Sequence, residues 1–341
     1  MAVRRVGDSS YQVEGVYVGQ SASVVGPKEG QGPLRDYFDL IWNDEGTTFS
    51  SYEMAERALL RQSETIALNK SQLAWEDVDI VVSGDLLDQL ITTNFEARDH
   101  RRPVLGVFSA CASFTEAMTV ASLILGQGGP TSALVAACSH HLSAERQFRY
   151  PVELGYQRTP TASWTATAAG SVIVSTRPTD LAIDSVTIGR VLDWGSKDPN
   201  DMASAMAPAA VDTIRRHFEA LGETQDDYDA VVTGDLGRFG MQLAEHLASD
   251  EYHVHIGDKL QDCGALLYHI GQQDVHNGGS GPGCSASVFS GYWTQQLRSG
   301  RIQRMLLVAT GALFSPKSYQ QGESIPAIAH AVAVTRLGEQ P

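Results

Sequence analysis

One short pattern occurs twice in this chain. Residues 77–87 read DVDIVVSGDLL and residues 227–237 read DYDAVVTGDLG. Each is an acidic turn, an apolar run rich in β-branched residues, and a Gly-Asp pair at the run's carboxyl end. That is how a buried strand entering a loop is written. A second pair follows, TSALVAACSHH at 131–141 and QRMLLVATGAL at 303–313. Cys111 and Cys284 then fall at equivalent places, each opening a segment with small residues at its start and Gly in its closing turn. A chain that repeats itself at this length is constrained to build one supersecondary unit twice.

The helices follow the same duplication. SYEMAERALLRQSETIALNK (51–70) opens one half and PAAVDTIRRHFEALG (208–222) the other. In the second, Ala210, Val211, Ile214, Phe218 and Leu221 recur at helical spacing. Each half therefore reads helix, strand, Gly-Asp loop, strand or loop, Cys-led helix, strand. Apolar strands alternating with helices imply an α/β fold, with sheets covered on both faces. Two such halves about an internal pseudo-dyad give a five-layer αβαβα arrangement. No Pro/Gly/Ser linker separates them, so residues 1–185 and 186–341 are expected as two halves of one body.

Composition narrows the function classes. Hydrophobic residues make up 43% of the 341 and charged ones 19%, a globular balance rather than a disordered one. The net charge of −15 argues against a nucleic-acid partner or a general anionic-membrane surface, since both select basic patches. The start, MAVRRVGDSSYQVEG, lacks the apolar core of a signal peptide. The longest apolar stretches, such as MLLVATGALF at 305–314, are about half of a membrane span. Four cysteines occur without C-x-x-C or zinc spacing, and free thiols are expected.

The chemistry concentrates at LGVFSACASF (105–114), an apolar run ending in small residues around Cys111. A cysteine at the amino end of a helix has its thiolate stabilised by unpaired N–H groups. Ala110, Ala112 and Ser113 leave room for a ligand to reach the sulfur. On composition alone a buried structural thiol is the commoner outcome. Asp85 and Asp235 close the two Gly-Asp loops, where capping of the following turn is the ordinary role. Two isolated carboxylates fall short of the six or more oxygens calcium wants, so no resident metal is expected. The stretch NGGSGPG (277–283) lacks the endings of a phosphate loop or dinucleotide fingerprint. It reads as a close-approach turn before Cys284, whose N–H groups, that of Gly281 among them, can meet an anion.

The doubled pattern with a cysteine-led helix resembles the thiolase and ketoacyl-synthase superfamily. A narrower resemblance rests on GPKEGQGPL, YEMAER, GDLLDQ, SAERQFRYPVELGYQ, DMASAMAPAAVDTI, DCGALLY, GGSGPGCSA, LLVATGALFSP and ESIPAIAHAV. In order, from about residue 26 to 336, these are similar to the stage V sporulation protein AD family. The superfamily likeness implies that Cys111 occupies the acyl-accepting position of the enzymes. It also implies that Pro282 stands where they carry His or Asn, and Gly234 or Asp235 where a second His stands. The late Cys-x-Gly-Gly-Gly loop of thiolases is replaced by SIPAIAHAVAV, and His330 within it reads as a core residue. Acyl transfer needs a base or hydrogen-bond donors at the sulfur. A degenerate site without catalytic residues is therefore expected.

The sporulation family's role implies the ligand: dipicolinic acid (pyridine-2,6-dicarboxylic acid), free or as its calcium chelate, bound for uptake into the developing spore. A planar dianion calls for Arg forks, His or backbone N–H groups and a flat slot. CSHHLSAERQFRYP supplies His140, Arg146, Arg149 and Tyr150 for this purpose. With Asp85, Cys111 and Gly281 they form the expected ligand site, against the plainer alternative of a solvated basic face for the two arginines. No cofactor is expected. The resemblance further implies a location peripheral to the spore inner membrane, with other subunits of the stage V sporulation A membrane complex as partners, and a homodimer. An active acyltransferase using Cys111 and a ligand-free structural subunit of the channel complex are the alternatives.

Overall fold

A computed structural model describes residues 2–148 and 158–338. The first half opens with a hairpin, β1 (Ala2–Arg5) and β2 (Ser10–Glu14), followed by β3 (Tyr17–Val25), the short β4 (Leu40–Ile41) and α1 (Tyr52–Ser71). Then come β5 (Ile80–Gly84), α2 (Ile91–His100), β6 (Val104–Gly106), α3 (Ser113–Gly126), β7 (Ser132–Ser139), α4 (His141–Phe148), β8 (Trp164–Thr165) and β9 (Ala168–Ser175). The second half runs β10 (Leu181–Thr187), α5 (Met202–Leu221), β11 (Ala230–Thr233), α6 (Gly237–Asp250), β12 (Leu260–Asp262) and α7 (Cys263–Leu267). It ends with β13 (Gly279–Ser280), α8 (Pro282–Val288), α9 (Thr294–Arg298), β14 (Arg304–Ala312), α10 (Pro316–Gln320) and β15 (Ala327–Arg336).

The duplication is exact in strand order. From the outer edge inward, the first half-sheet reads β6-β5-β7-β9-β3 and the second β12-β11-β14-β15-β10. In each, the first three strands run parallel, and β9 or β15 lies antiparallel to both of its neighbours. The halves meet along two antiparallel residue pairs between β10 and β3. Helices α3 and α8 fill the space between the half-sheets: α3 touches β5 and β7 on one side, β14 and β15 on the other. On the outer faces, α1 covers β3, β7 and β9, while α5 covers β14 and β15. The five-layer α/β arrangement is thus present. Phe114 of α3 and Phe289, which follows α8, meet in the central layer with ring centroids 5.6 Å apart.

Two expected boundaries move. By strand order the second half begins at β10, so a division at residue 185 falls inside that strand rather than between the halves. Helix α5 starts at Met202, not Pro208, because the Asp201 side chain accepts from the Ser204 N–H and fixes the first turn upstream. Ala210, Val211, Ile214 and Phe218 are buried, as their spacing requires.

Candidate functional site

Cys111 sits where β6 turns into α3. Ala110 adopts φ +49°, a left-handed conformation uncommon for a residue with a side chain. The turn is over-determined: Ser113 Oγ accepts from Ser109 N at 3.1 Å and donates to Ala110 O at 2.7 Å. Gly311 of β14 presses against it from the other half, since a Cβ there would lie 2.0 Å from the Ser109 carbonyl oxygen. The second half thus holds the cysteine turn of the first.

Across the pseudo-dyad, Ser280 Oγ stands 3.6 Å from Cys111 Sγ and donates to Asp235 Oδ2 at 3.1 Å. Thr310 Oγ1 donates to Asp235 Oδ1 at 2.7 Å. Asp235 also interacts with the thiol itself, and the Gly281 N–H is directed at the sulfur. Gly281 has φ +93°, and a Cβ on it would come within 2.7 Å of Ser139 Oγ, so the turn requires glycine. Burial pushes the Asp235 carboxyl up to about 7, with Asp262 adding to the effect. Burial, then the Asp235 carboxylate, raise the Cys111 thiol well above its ordinary value. At neutral pH the sulfur is a thiol met by Ser280, Asp235 and the Gly281 N–H, not a thiolate beside an imidazole.

Of this group, Cys111 and Ser280 line a cavity of about 420 Å³. The rest of its lining is mostly apolar, including Phe108, Phe148, Met206 and Phe314, with the polar Glu145, Gln147 and Asn200. Among the described residues that line it there is no Lys, Arg or His.

The expected site residues divide. Cys111 and Gly281 come together; Asp85, His140 and Arg146 do not join them. Asp85 is fully buried and accepts from the N–H groups of Leu87 at 2.9 Å and Thr93 at 2.8 Å, holding the loop after β5. His140 is also buried: Nε2 meets the Glu45 carbonyl at 3.0 Å, Nδ1 accepts from Leu142 N, and the ring stacks on Tyr52. Its pKa is lowered to about 4 by burial, so it offers no positive charge to an anion at neutral pH. Arg146 pairs with Glu53 of α1. Ala144, Glu145, Gln147 and Phe148 face the cavity, and the helical rotation turns Arg146 to the opposite side. Arg149 and Tyr150 lie outside the described residues.

Other residues take the missing places. Asp235, expected as a turn cap, faces the cysteine, because Asp262 performs the capping. Asp262 accepts from the N–H groups of Leu236, Gly237 and Ala265 and from Thr233 Oγ1. Ser280 and Thr310 had no signal of their own beyond standing next to Gly281 and at the carboxyl end of β14. Pro282 is buried at the first turn of α8, and Cys284 is buried with its thiol 3.6 Å from the Gly234 carbonyl. His330 is also internal, 3.1 Å from Ser109 Oγ. The described cysteines are all free thiols. Among the described residues no group of three His, Cys, Asp or Glu is placed to hold a metal ion. No helix among them is long and apolar enough to cross a membrane.

The profile of the family described as Stage V sporulation protein AD matches residues 9–335, extending the likeness well before residue 26. Stage V sporulation protein AD of Bacillus subtilis (strain 168) is 44% identical over 323 residues, covering 95% of this chain and 95% of that protein. Among solved structures, 3-oxoacyl-[acyl-carrier-protein] synthase III from Aquifex aeolicus VF5 superposes with a TM-score of 0.58 at 11% identity, over 94% of this chain and 99% of that one. A variant of OleA from Xanthomonas campestris gives 0.62 at 12% identity, over 95% and 97%. The last two show the fold alone, a thiolase-like ketoacyl-synthase fold. With the family profile and the close relative spanning nearly its whole length, the chain belongs to the stage V sporulation protein AD family.

Proposed function

We propose that this chain serves sporulation by binding dipicolinic acid, free or as its calcium chelate, for uptake into the developing spore, and that it does not transform the ligand. The observation that carries the non-enzymatic reading is that Ser280 and Asp235 are the side chains of the second half that meet Cys111, with no imidazole beside them among the described residues. Ser280 and Asp235 meet a thiol whose ionisation is opposed by burial and by the neighbouring carboxyl group, which Thr310 holds in place. Thioester exchange needs the thiolate as nucleophile and a donor for the developing oxyanion. The 420 Å³ cavity with aromatic walls is of a size for one small planar ring. Within it, the calcium chelate has the better electrostatic match, being formally neutral against a described lining that holds Glu145 and no cation. The protein would act peripherally at the spore inner membrane with other stage V sporulation A subunits, as a homodimer.

Calorimetric titration with dipicolinic acid, with and without calcium, tests this reading. Saturable binding that is lost in Cys111→Trp, which fills the cavity floor, is expected; Arg146→Ala should leave it unchanged. Absence of binding at millimolar ligand refutes the proposal. The second reading, an acyltransferase, is favoured by the strained Ala110 turn that presents Cys111 at the start of α3. An intact-mass increase on Cys111 after incubation with acyl-coenzyme A would support it.

A further inference from the structure

A second cavity, of about 400 Å³, lies at the opposite ends of the strands from Cys111. On one side of it the β3–β9 register shifts between Val18 and Ser21, and Gly19 lies against Ile173, where a Cβ would come within 3.1 Å of the Ile173 carbonyl oxygen. Leu73 and Ile173 give it an apolar floor. Its hydroxyls have their protons committed elsewhere. Ser71 donates to Ala67 O at 2.8 Å, Ser132 to Asp77 O at 2.6 Å, and Thr131 to Asp79 Oδ2 at 2.9 Å. Ser175 donates to Arg177 O at 3.2 Å and Thr179 to Val18 O at 2.8 Å. Ser132 and Thr179 also accept from the N–H groups of Asp79 and Leu181, so the Ser71, Thr131 and Ser175 oxygens are the ones that keep lone pairs to accept from a ligand.

The charged groups complete the pattern. Arg298 is spent inside the fold, bonded to the Gly19 carbonyl and 3.4 Å from Asp180 Oδ2. Arg177 lines the same cavity, and its guanidinium has no hydrogen bond or ion pair to another described residue. Asp77 and Asp180 supply carboxylates: Asp77 accepts one N–H, from Ala74, and Asp180 keeps nearly half its side chain exposed. Two arginines against two aspartates leave the lining neutral, so a simple anion or cation gains little from it. One free fork, several acceptor oxygens, a carboxylate pair and an aliphatic floor complement a molecule carrying both charges and an apolar tail.

We propose that this cavity binds a free aliphatic α-amino acid as its zwitterion. The carboxylate pairs with Arg177, the ammonium donates to the hydroxyl oxygens and to Asp77 or Asp180, and the side chain rests on Leu73 and Ile173. The site is separate from the Cys111 cavity and stands or falls without the dipicolinic acid reading. The test is calorimetry of the intact chain with leucine as probe, alongside isocaproate, which lacks the ammonium, and isoamylamine, which lacks the carboxylate. Saturable low-millimolar binding of leucine alone is expected, weakened at least about tenfold in Arg177→Gln, an exposed position where the fold tolerates change. Saturation with dipicolinic acid beforehand should leave the leucine isotherm unchanged. The proposal is overturned if leucine shows no saturable heat, if isocaproate binds as well, if Arg177→Gln binds like the parent, or if dipicolinic acid competes.

Discussion

Asp235→Asn isolates the cost of keeping an acid beneath the cavity. In the folded chain this carboxyl is 1% exposed and titrates at about 7, raised chiefly by burial. In the unfolded chain an aspartate titrates near about 3.9. Between these values the folded protein holds a proton that the unfolded chain has lost, so stability falls as pH rises across the window and levels off above about 7. At about 1.4 kcal/mol per unit, a shift of about 3 units corresponds to an upper limit of about 4 kcal/mol. Asparagine cannot ionise, and it reproduces the protonated acid: its oxygen accepts from Thr310 and its amide donates towards Ser280.

The expected result is a difference between variant and parent that grows with pH. Near pH 4 the two should unfold at similar urea concentrations, and near pH 8 the variant should be more stable by up to about 4 kcal/mol. Glu29 and Glu56 are likewise raised by burial, to about 7 and about 8, and will tilt both stability curves in the same direction. Their contribution cancels in the subtraction, so the difference curve reports Asp235. Urea unfolding followed by tryptophan fluorescence at unit pH steps is sufficient. A difference that stays constant from pH 4 to 8 refutes the reasoning, because it would mean that Asp235 ionises in the ordinary carboxylate range.

Three other perturbations test the frame around the site. Asp262→Ala leaves the buried N–H groups of Leu236, Gly237 and Ala265 without their acceptor and should cost about 3–5 kcal/mol in chemical denaturation. Gly311→Ala drives a methyl into the Ser109 carbonyl and should cost about 3 kcal/mol, with faster alkylation of Cys111 by iodoacetamide as its turn is displaced. The proposed homodimer is expected to close along β6, the outermost described strand of the first half-sheet, where Leu105 and the nearby Phe108 are 40% and 50% exposed and Ile91 and Phe95 of α2 are exposed as well. Leu105→Asp should then shift the sedimenting species from dimer to monomer at micromolar concentration; an unchanged species removes β6 as the interface.

The fold was legible because the repeat encodes it. DVDIVVSGDLL and DYDAVVTGDLG became β5 and β11, the second-from-edge strands of two half-sheets with identical order. The same symmetry misled at the site. It assigns equal roles to Asp85 and Asp235, yet a pseudo-dyad repeats backbone and not function. Asp85 is closed off by the N–H groups of Leu87 and Thr93 within its own half. Asp235 is freed from capping because Asp262, which has no counterpart in the repeated motif, takes its loop. The freed carboxyl then meets Cys111 from the other half, with Ser280 between them. Local pattern also failed for CSHHLSAERQFRYP: residue type suggested a cationic slot, but helical rotation sends Arg146 to Glu53 and leaves Glu145, Gln147 and Phe148 on the cavity. What decides each case is which neighbour already satisfies a polar group. That depends on contacts outside the repeated motif, from Asp262, 26 positions from Leu236, to Ser280, 169 positions from Cys111, and it is there that duplicated sequence became an asymmetric site.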